Sequence, residues 1–270
     1  MLARYRLAIF LAGGLLGVAG VPGCEGESPD ASIPSHPPPA AGPAPAARSP
    51  LETDSRWTVV QRMLGGGSFA EAEVVLATWS AERADDARLR FLLGLAIQKQ
   101  RRYQQARELI ESSLAPGVDF PERRHADHFL GWCLYYLGEP DAAAASFRRH
   151  LELVPDEPDS TFALGLIALD AGELDEAEAH LSKAIELQSG PEANPRDLAK
   201  ALARLGDVRE QSDLHAEAEE LYMRSLAKYP NSVEVWEKLA RVRDRLGKER
   251  EAASARHEAE RARARRGEAP

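Results

Sequence analysis

The sequence repeats with a fixed period of 34 residues through its centre. Gly131 recurs as Gly165, and the same interval separates Ala143 from Ala177. A period of this length is typical of stacked helix-turn-helix units, because one helical hairpin cannot bury its apolar face without neighbours. Helix-forming residues dominate the composition, and no segment alternates Val, Ile and Thr as a strand would. The sequence therefore predicts an all-α solenoid.

One alanine marks the start of the second helix in every unit and sets the number of units. It occurs at intervals of 34, 37, 34, 41 and 34 residues, at Ala72, Ala106, Ala143, Ala177, Ala218 and Ala252. Insertions with proline or glycine near residue 120 and at 189–195 account for the two longer intervals. The predicted units are 53–86, 87–120, 124–157, 158–191, 199–232 and 233–266, with a disordered tail at 267–270.

The first helix of four units carries a glycine at one phase of the repeat, namely Gly94, Gly131, Gly165 and Gly206. Glycine in a helix interior costs about 1 kcal/mol relative to alanine. Its recurrence predicts that two helices cross there too closely for a larger side chain. A bulky residue follows the marker alanine by four positions, and we call it the anchor: Leu76, Ile110, Phe147, Leu181 and Tyr222.

These markers resemble the tetratricopeptide repeat, whose units carry a bulky residue, Leu-Gly, an aromatic residue, two alanines around an aromatic residue, and a final proline. The third, fourth and fifth units match this pattern best, and the resemblance covers about residues 53–266. Asp127 in the third unit and Arg256 in the sixth depart from the pattern. The resemblance implies a right-handed α-solenoid of about five to six units that binds other proteins.

In this family the first helices line a concave groove. Carried over position by position, the groove would be apolar and aromatic through the first four units and charged beyond them. An exposed aromatic strip is costly unless a partner covers it, although the superhelix or the N-terminal segment could also cover these rings. The predicted protein-binding residues are Trp57, Phe91, Leu95, His128, Trp132, Tyr135, Phe162 and Leu166.

Other classes of partner find little support in the residues. The formal net charge of -9 argues against a nucleic-acid partner. No phosphate loop, nucleophile motif or zinc-protease motif occurs, so we expect no enzyme, no cofactor and no small-molecule substrate. His125 and His128 share a helix face, but two ligands from one helix are too few for a metal site, and none is predicted. Cys133 reads as a small buried hydrophobic residue. His150 and His215 fall in or near second helices, and we expect them on the surface.

The N-terminus reads as an export signal. Arg4 and Arg6 precede an uncharged run at 7–21, as in a signal peptide, which we place at 1–23. The run is short for a spanning helix, which needs about 20 apolar residues. Residues 21–24 resemble a bacterial lipobox, with Pro22 in place of the usual small residue. That resemblance implies cleavage before Cys24 and its lipidation; an uncleaved anchor or ordinary secretion are the alternatives.

Residues 24–52 are rich in proline and alanine, so they predict a disordered tether that joins the lipid anchor to the array. Glu25, in place of aspartate, resembles the signal for the outer membrane, on its periplasmic side. The sequence thus predicts a non-catalytic scaffold or adaptor, anchored in the bacterial cell envelope, that holds a partner segment in its groove. The alternatives are a solenoid that self-associates through the aromatic strip and an unrecognised enzyme.

Overall fold

In a computed structural model, the described residues are 51–190, 193–265 and 267, and they form helices and turns without any strand. The signal peptide 1–23, Cys24 and the tether up to residue 50 lie outside them, as do residues 268–270 of the tail. The described chain forms six helix pairs: α1 (Ser55–Gly66) with α2 (Phe69–Glu82), α3 (Ala87–Lys99) with α4 (Tyr103–Ser113), α5 (Ala126–Tyr136) with α6 (Pro140–Leu153), α7 (Pro158–Ala171) with α8 (Leu174–Leu187), α9 (Pro195–Gln211) with α10 (His215–Lys228), and α11 (Val233–Arg245) with α12 (Glu249–Arg265).

The all-helical prediction is confirmed for this part of the chain, and the helices stack in chain order. Each helix packs against the next one along the sequence, so the contacts are local throughout. This is the arrangement of a solenoid, in which a unit touches only its neighbours. None of the described helices combines the length and the apolar character needed to cross a membrane.

The N-termini of most first helices are stabilised by side-chain caps, whereas the turns inside the pairs depend on a left-handed backbone. A side chain caps the N-terminus of five first helices, and the cap residues are Asp54, Asp86, Glu157, Asn194 and Ser232. The turn inside each pair instead contains one residue with a left-handed backbone: Gly67, Arg101, Gly138, Gly172, Asp213 and Gly247. Glycine adopts this conformation without steric cost, whereas Arg101 and Asp213 adopt it with a Cβ atom.

The recurring glycines lie where the two helices of a pair cross, and the anchor residue faces them. A Cβ atom on Gly131 would lie 2.8 Å from the ring of Phe147, and one on Gly206 would lie 2.6 Å from Tyr222. Gly94 and Gly165 face Ile110 and Leu181 in the same way, at 2.9 and 2.8 Å. All six marker alanines are fully buried. The close crossing expected from the sequence is therefore present in the four inner pairs.

The apolar core is divided along the array. One cluster extends from Leu51 to Leu164 and a second from Ala168 to Leu221. A third, from Ala203 to Ala255, joins the last two pairs, and a small fourth lies within the last pair. The first helices of the pairs border these clusters on one side and a groove on the other. The core thus positions the groove described next.

Candidate functional site

A cavity of about 640 Å³ runs along the first helices from the end of α3 to the start of α11. We call it the central groove. It is lined mainly by α5, α7 and α9, with contributions from Gln188 at the end of α8 and Tyr229 after α10. The groove therefore spans five consecutive helix pairs, which is the arrangement expected for an extended ligand rather than for a compact one.

The floor of the central groove is apolar in the third and fourth pairs. Trp132, Phe162 and Leu166 line it, and each is half-buried. The Trp132 ring packs edge-on against Phe147 at 5.3 Å between centroids. Leu166 belongs to none of the apolar core clusters, so it is the floor residue whose replacement should disturb the core least.

Four of the eight predicted binding residues line this groove: His128, Trp132, Phe162 and Leu166. His128 is buried, and the other three are partly exposed. Tyr135 lies beside them without lining the groove, and its hydroxyl group donates a hydrogen bond to Asp170 at 2.8 Å. The third and fourth pairs thus hold the accessible part of the expected aromatic strip.

The other three predicted residues, Trp57, Phe91 and Leu95, are buried in the free protein. They border a separate, narrow apolar cleft of about 40 Å³. The guanidinium group of Arg88 lies 4.2 Å from the Trp57 ring centroid and covers it. Phe120, from the insertion after the second unit, lies 5.5 Å from Phe91. These two contacts explain why the aromatic strip does not extend as exposed surface into the first two pairs.

Beyond the apolar floor, the groove is lined by paired charges of both signs. Lys200 lies 2.8 Å from Asp197, and Arg204 lies 3.3 Å from Glu234. Arg196 lies over the Tyr229 ring at 4.6 Å from its centroid. Mixed charges of this kind exert little net field, so this half of the groove presents hydrogen-bonding groups rather than a net charge.

Two polar side chains that line the groove, Lys99 at the end of α3 and Gln188 after α8, are strongly desolvated. Burial lowers the pKa of Lys99 to about 8, while Asp159 acts in the opposite direction. Gln188 is only 6% exposed, and its Oε1 accepts no hydrogen bond from the described residues. A buried acceptor without a donor costs about 1–3 kcal/mol.

The structure also assembles a polar cluster that sequence reasoning missed. His128 lies close to His150 on α6 and to Glu157 and Ser160 at the start of α7. The pair of histidines on one helix was visible in the sequence, but His150 read as a surface residue. It is instead buried. The signal that could have revealed its burial is its position on α6, on the same face of the helix as the buried residues Ala143 and Phe147.

Cys133 is buried on α5, where burial raises the pKa of its thiol to about 12. The thiol is therefore protonated at neutral pH and poorly suited to act as a nucleophile. Its place in the core agrees with its reading as a small hydrophobic residue.

Comparison with known proteins identifies the repeats. Two family models, both described as tetratricopeptide repeat, match residues 130–195 and 196–242. A search of curated proteins found no match. Residues 130–242 thus match tetratricopeptide repeats. Proteins with these repeats are generally protein-interaction scaffolds, and the fold is typically non-catalytic.

Solved structures share the fold at low sequence identity. The crystal structure of the APC/C hetero-tetramer Cut9-Hcn1 matches 76% of this chain with a TM-score of 0.65 and 18% identity, and this chain spans only 38% of that one. The crystal structure of MamA matches 65% of this chain and 96% of its own, with a TM-score of 0.54 and 19% identity. YrrB, described as a tetratricopeptide-repeat protein with an unusual peptide-binding site, matches 66% of this chain and 87% of its own, with a TM-score of 0.52 and 18% identity. At this identity the likeness establishes the fold alone.

Proposed function

We propose that the chain is a non-catalytic scaffold that binds a segment of a partner protein in the central groove. The observation that carries this proposal is the half-buried apolar floor formed by Trp132, Phe162 and Leu166. Half-buried apolar side chains at the bottom of an elongated cavity favour binding, because a partner that removes their remaining surface from water lowers the free energy of the complex. The paired charges beyond the floor would fix the orientation of the bound segment.

Leu166→Arg is the sharpest test of groove binding. Its side chain lines the groove and lies outside the core clusters, so a charge there should block a partner with little loss of stability. Leu153→Arg is the matched control, because Leu153 is 60% exposed on α6 and does not line the central groove. Trp132→Ala is a less clean variant, since that ring also packs on Phe147.

The measurement uses linear peptides selected by panning a random library against the full chain, followed by fluorescence anisotropy with each variant. We expect Leu166→Arg to lower the affinity for the selected peptides at least tenfold and Leu153→Arg to leave that affinity unchanged. Peptides that bind Leu166→Arg as tightly as the parent chain would place the binding surface elsewhere. Sedimentation of the parent chain at several concentrations tests the self-association alternative.

We also propose that the chain is exported and anchored in the bacterial envelope through a lipidated Cys24. The tether would end at residue 50 and not at 52 as the sequence predicts, because Leu51 is buried in the apolar core and Glu52 pairs with Arg88. The support is the sequence alone: the charged start, the apolar run at 7–21 and the lipobox-like residues before the cysteine. Several acyl chains on one residue would give stable membrane attachment, which a single chain does not. Cys24→Ser should release the chain from the membrane fraction of cells, whereas Cys133→Ala should not. Retention of Cys24→Ser at the membrane would count against lipidation.

A further inference from the structure

Four polar side chains from three helices meet at the junction of the third and fourth pairs. They are His128 on α5, His150 on α6, Glu157 at the N-terminal cap of α7, and Ser160 in its first turn. One possible ligand atom from each of His128, His150 and Glu157 lies within 4.8 Å of the other two. The Ser160 Oγ atom lies between them, 2.9 Å from His128 Nδ1 and 2.8 Å from His150 Nδ1.

Four of the six distances among these atoms can be compared with those of a tetrahedral metal site. The Glu157 Oε2 atom lies 3.8 Å from His128 Nδ1 and 4.0 Å from His150 Nδ1. Zinc binds nitrogen and oxygen ligands at about 2.0–2.1 Å, so neighbouring ligand atoms around it are roughly 3.3 Å apart. The observed separations of 2.8–4.0 Å bracket that value. Small shifts of the side chains would bring all four atoms onto one tetrahedron.

We propose that this cluster binds one divalent transition-metal ion of the zinc class. The ligands would be Nδ1 of His128, Nδ1 of His150 and Oε2 of Glu157, with the Ser160 hydroxyl oxygen in the fourth position. Imidazole and carboxylate together suit such ions, whereas Mg²⁺ and Ca²⁺ favour sites made of oxygen atoms alone.

The protonation states of the two histidine ligands are compatible with a bound cation at neutral pH, whereas that of Glu157 is not. Burial lowers the pKa of His150 to about 4, and it moves the pKa of His128 well below its ordinary value. Both rings are therefore neutral and have a lone pair for a metal. Burial and the nearby Asp159 raise the pKa of Glu157 to about 7. A bound cation would stabilise the charged form of that carboxylate.

Two residues outside the four ligands affect His150. His125 supports it as a metal ligand, whereas Arg124 favours the tautomer of His150 that cannot bind a metal through Nδ1. His125 Nδ1 lies 3.1 Å from His150 Nε2, as the outer partner of a metal-bound histidine would. The Arg124 Nε–H group donates to His125 Nε2 at 3.1 Å, which places the proton of His125 on Nδ1 and that of His150 on its own Nδ1. Metal binding requires His150 to carry its proton on Nε2 and donate it to His125. The exposed Arg124 side chain must then leave His125.

Two consequences follow for the protein. The ion would connect α5, α6 and α7, and so join the third pair to the fourth beside the floor of the central groove, which His128 also lines. Removal of Arg124 should strengthen metal binding, because its contact with His125 holds the competing tautomer. An accidental surface site would not respond to Arg124 in this way.

The test is titration of the purified full chain, stripped with a chelator, by Zn²⁺ in a calorimeter and by Co²⁺ with visible absorption. We expect one equivalent of Zn²⁺, a rise in melting temperature, and the intense visible band of tetrahedral Co²⁺. His150→Gln and Glu157→Gln should each weaken the affinity at least tenfold, and Arg124→Ala should strengthen it severalfold. His257→Gln, on the exposed face of α12, should have no effect.

Circular dichroism of each variant confirms folding before titration, and Glu157→Gln retains the side-chain volume if His150→Gln unfolds. The proposal is overturned if the folded parent chain takes up no stoichiometric Zn²⁺. It is equally overturned if Glu157→Gln and His150→Gln bind like the parent, or if Co²⁺ shows only the weak band of an octahedral site.

Discussion

The two helices of a pair cross with different side chains between them in the four inner pairs and in the two end pairs. In the four inner pairs, a glycine on the first helix faces a large anchor on the second. In the first pair, Val60 takes the place of the glycine, and both it and the anchor Leu76 are fully buried. In the last pair, Ala240 faces a helix whose buried residues are all alanines, and Arg256 stands at the anchor position.

This difference shows what the recurring glycine is for. A repeat unit does not need it, since both end pairs form without it. The glycine is needed where the first helix must lie close to a second helix that carries a large anchor, in a pair that also packs against units on both sides. End pairs have a neighbour on one side only, so their crossing is under less constraint.

Removing an anchor should have the largest effect in this comparison. Leu181→Ala empties a fully buried site and should lower the free energy of unfolding by about 3 kcal/mol. Arg256→Ala, at the same repeat position in the last pair, removes an exposed side chain paired with Asp244 and should change it by less than about 0.5 kcal/mol. Chemical denaturation measures both. Equal losses would mean that the anchor position is equivalent in inner and end pairs.

Filling a close crossing should have the next largest effect. Gly165→Leu places a Cβ atom 2.8 Å from Leu181 Cγ and 3.1 Å from its backbone nitrogen, so we expect a loss of about 2 kcal/mol. Gly65→Leu in α1 is the control, because nothing lies within 4 Å of a Cβ there. It should stabilise the helix by up to about 0.8 kcal/mol. Thermal melting compares them; an unchanged melting temperature for Gly165→Leu would contradict the packing account.

Acid should weaken the inner junction that contains the histidines. His125, His128 and His150 have folded-state pKa values below their ordinary value of 6.5, chiefly because of burial. Stability is thus fully present above about pH 6.5 and is lost as pH falls towards 4, since the unfolded chain then binds more protons. Glu157, with its raised pKa, acts in the opposite direction between pH 7 and 4.5 and offsets one histidine.

The net result should be a fall of roughly 5 °C in melting temperature between pH 7 and pH 5. His150→Gln should flatten that dependence, while His257→Gln, in the last pair, should leave it unchanged. A melting temperature that rises as the pH is lowered would show that Glu157, and not the histidines, controls the junction.

The spacing of residues is enough to predict the helix pairs, because alanine markers and glycines report local packing between neighbours. The repeat positions of Gly131 and Gly165 already pair them with Phe147 and Leu181. The groove is harder to predict, since one of the rings that cover Phe91 is Phe120, which comes from an insertion outside the repeat pattern. The same limit applies to His150, whose partners Glu157 and Ser160 belong to the start of the next helix pair.

The division of the apolar core gives the groove a mechanical consequence. Separate apolar clusters can unfold in separate steps, as neighbouring segments of a solenoid do. The central groove borders the first cluster at Trp132, the second at Phe162 and the third at Val235. A polypeptide bound along the groove would contact all three clusters. The occupied array should then unfold in a single cooperative transition, whereas the empty array should unfold in several steps.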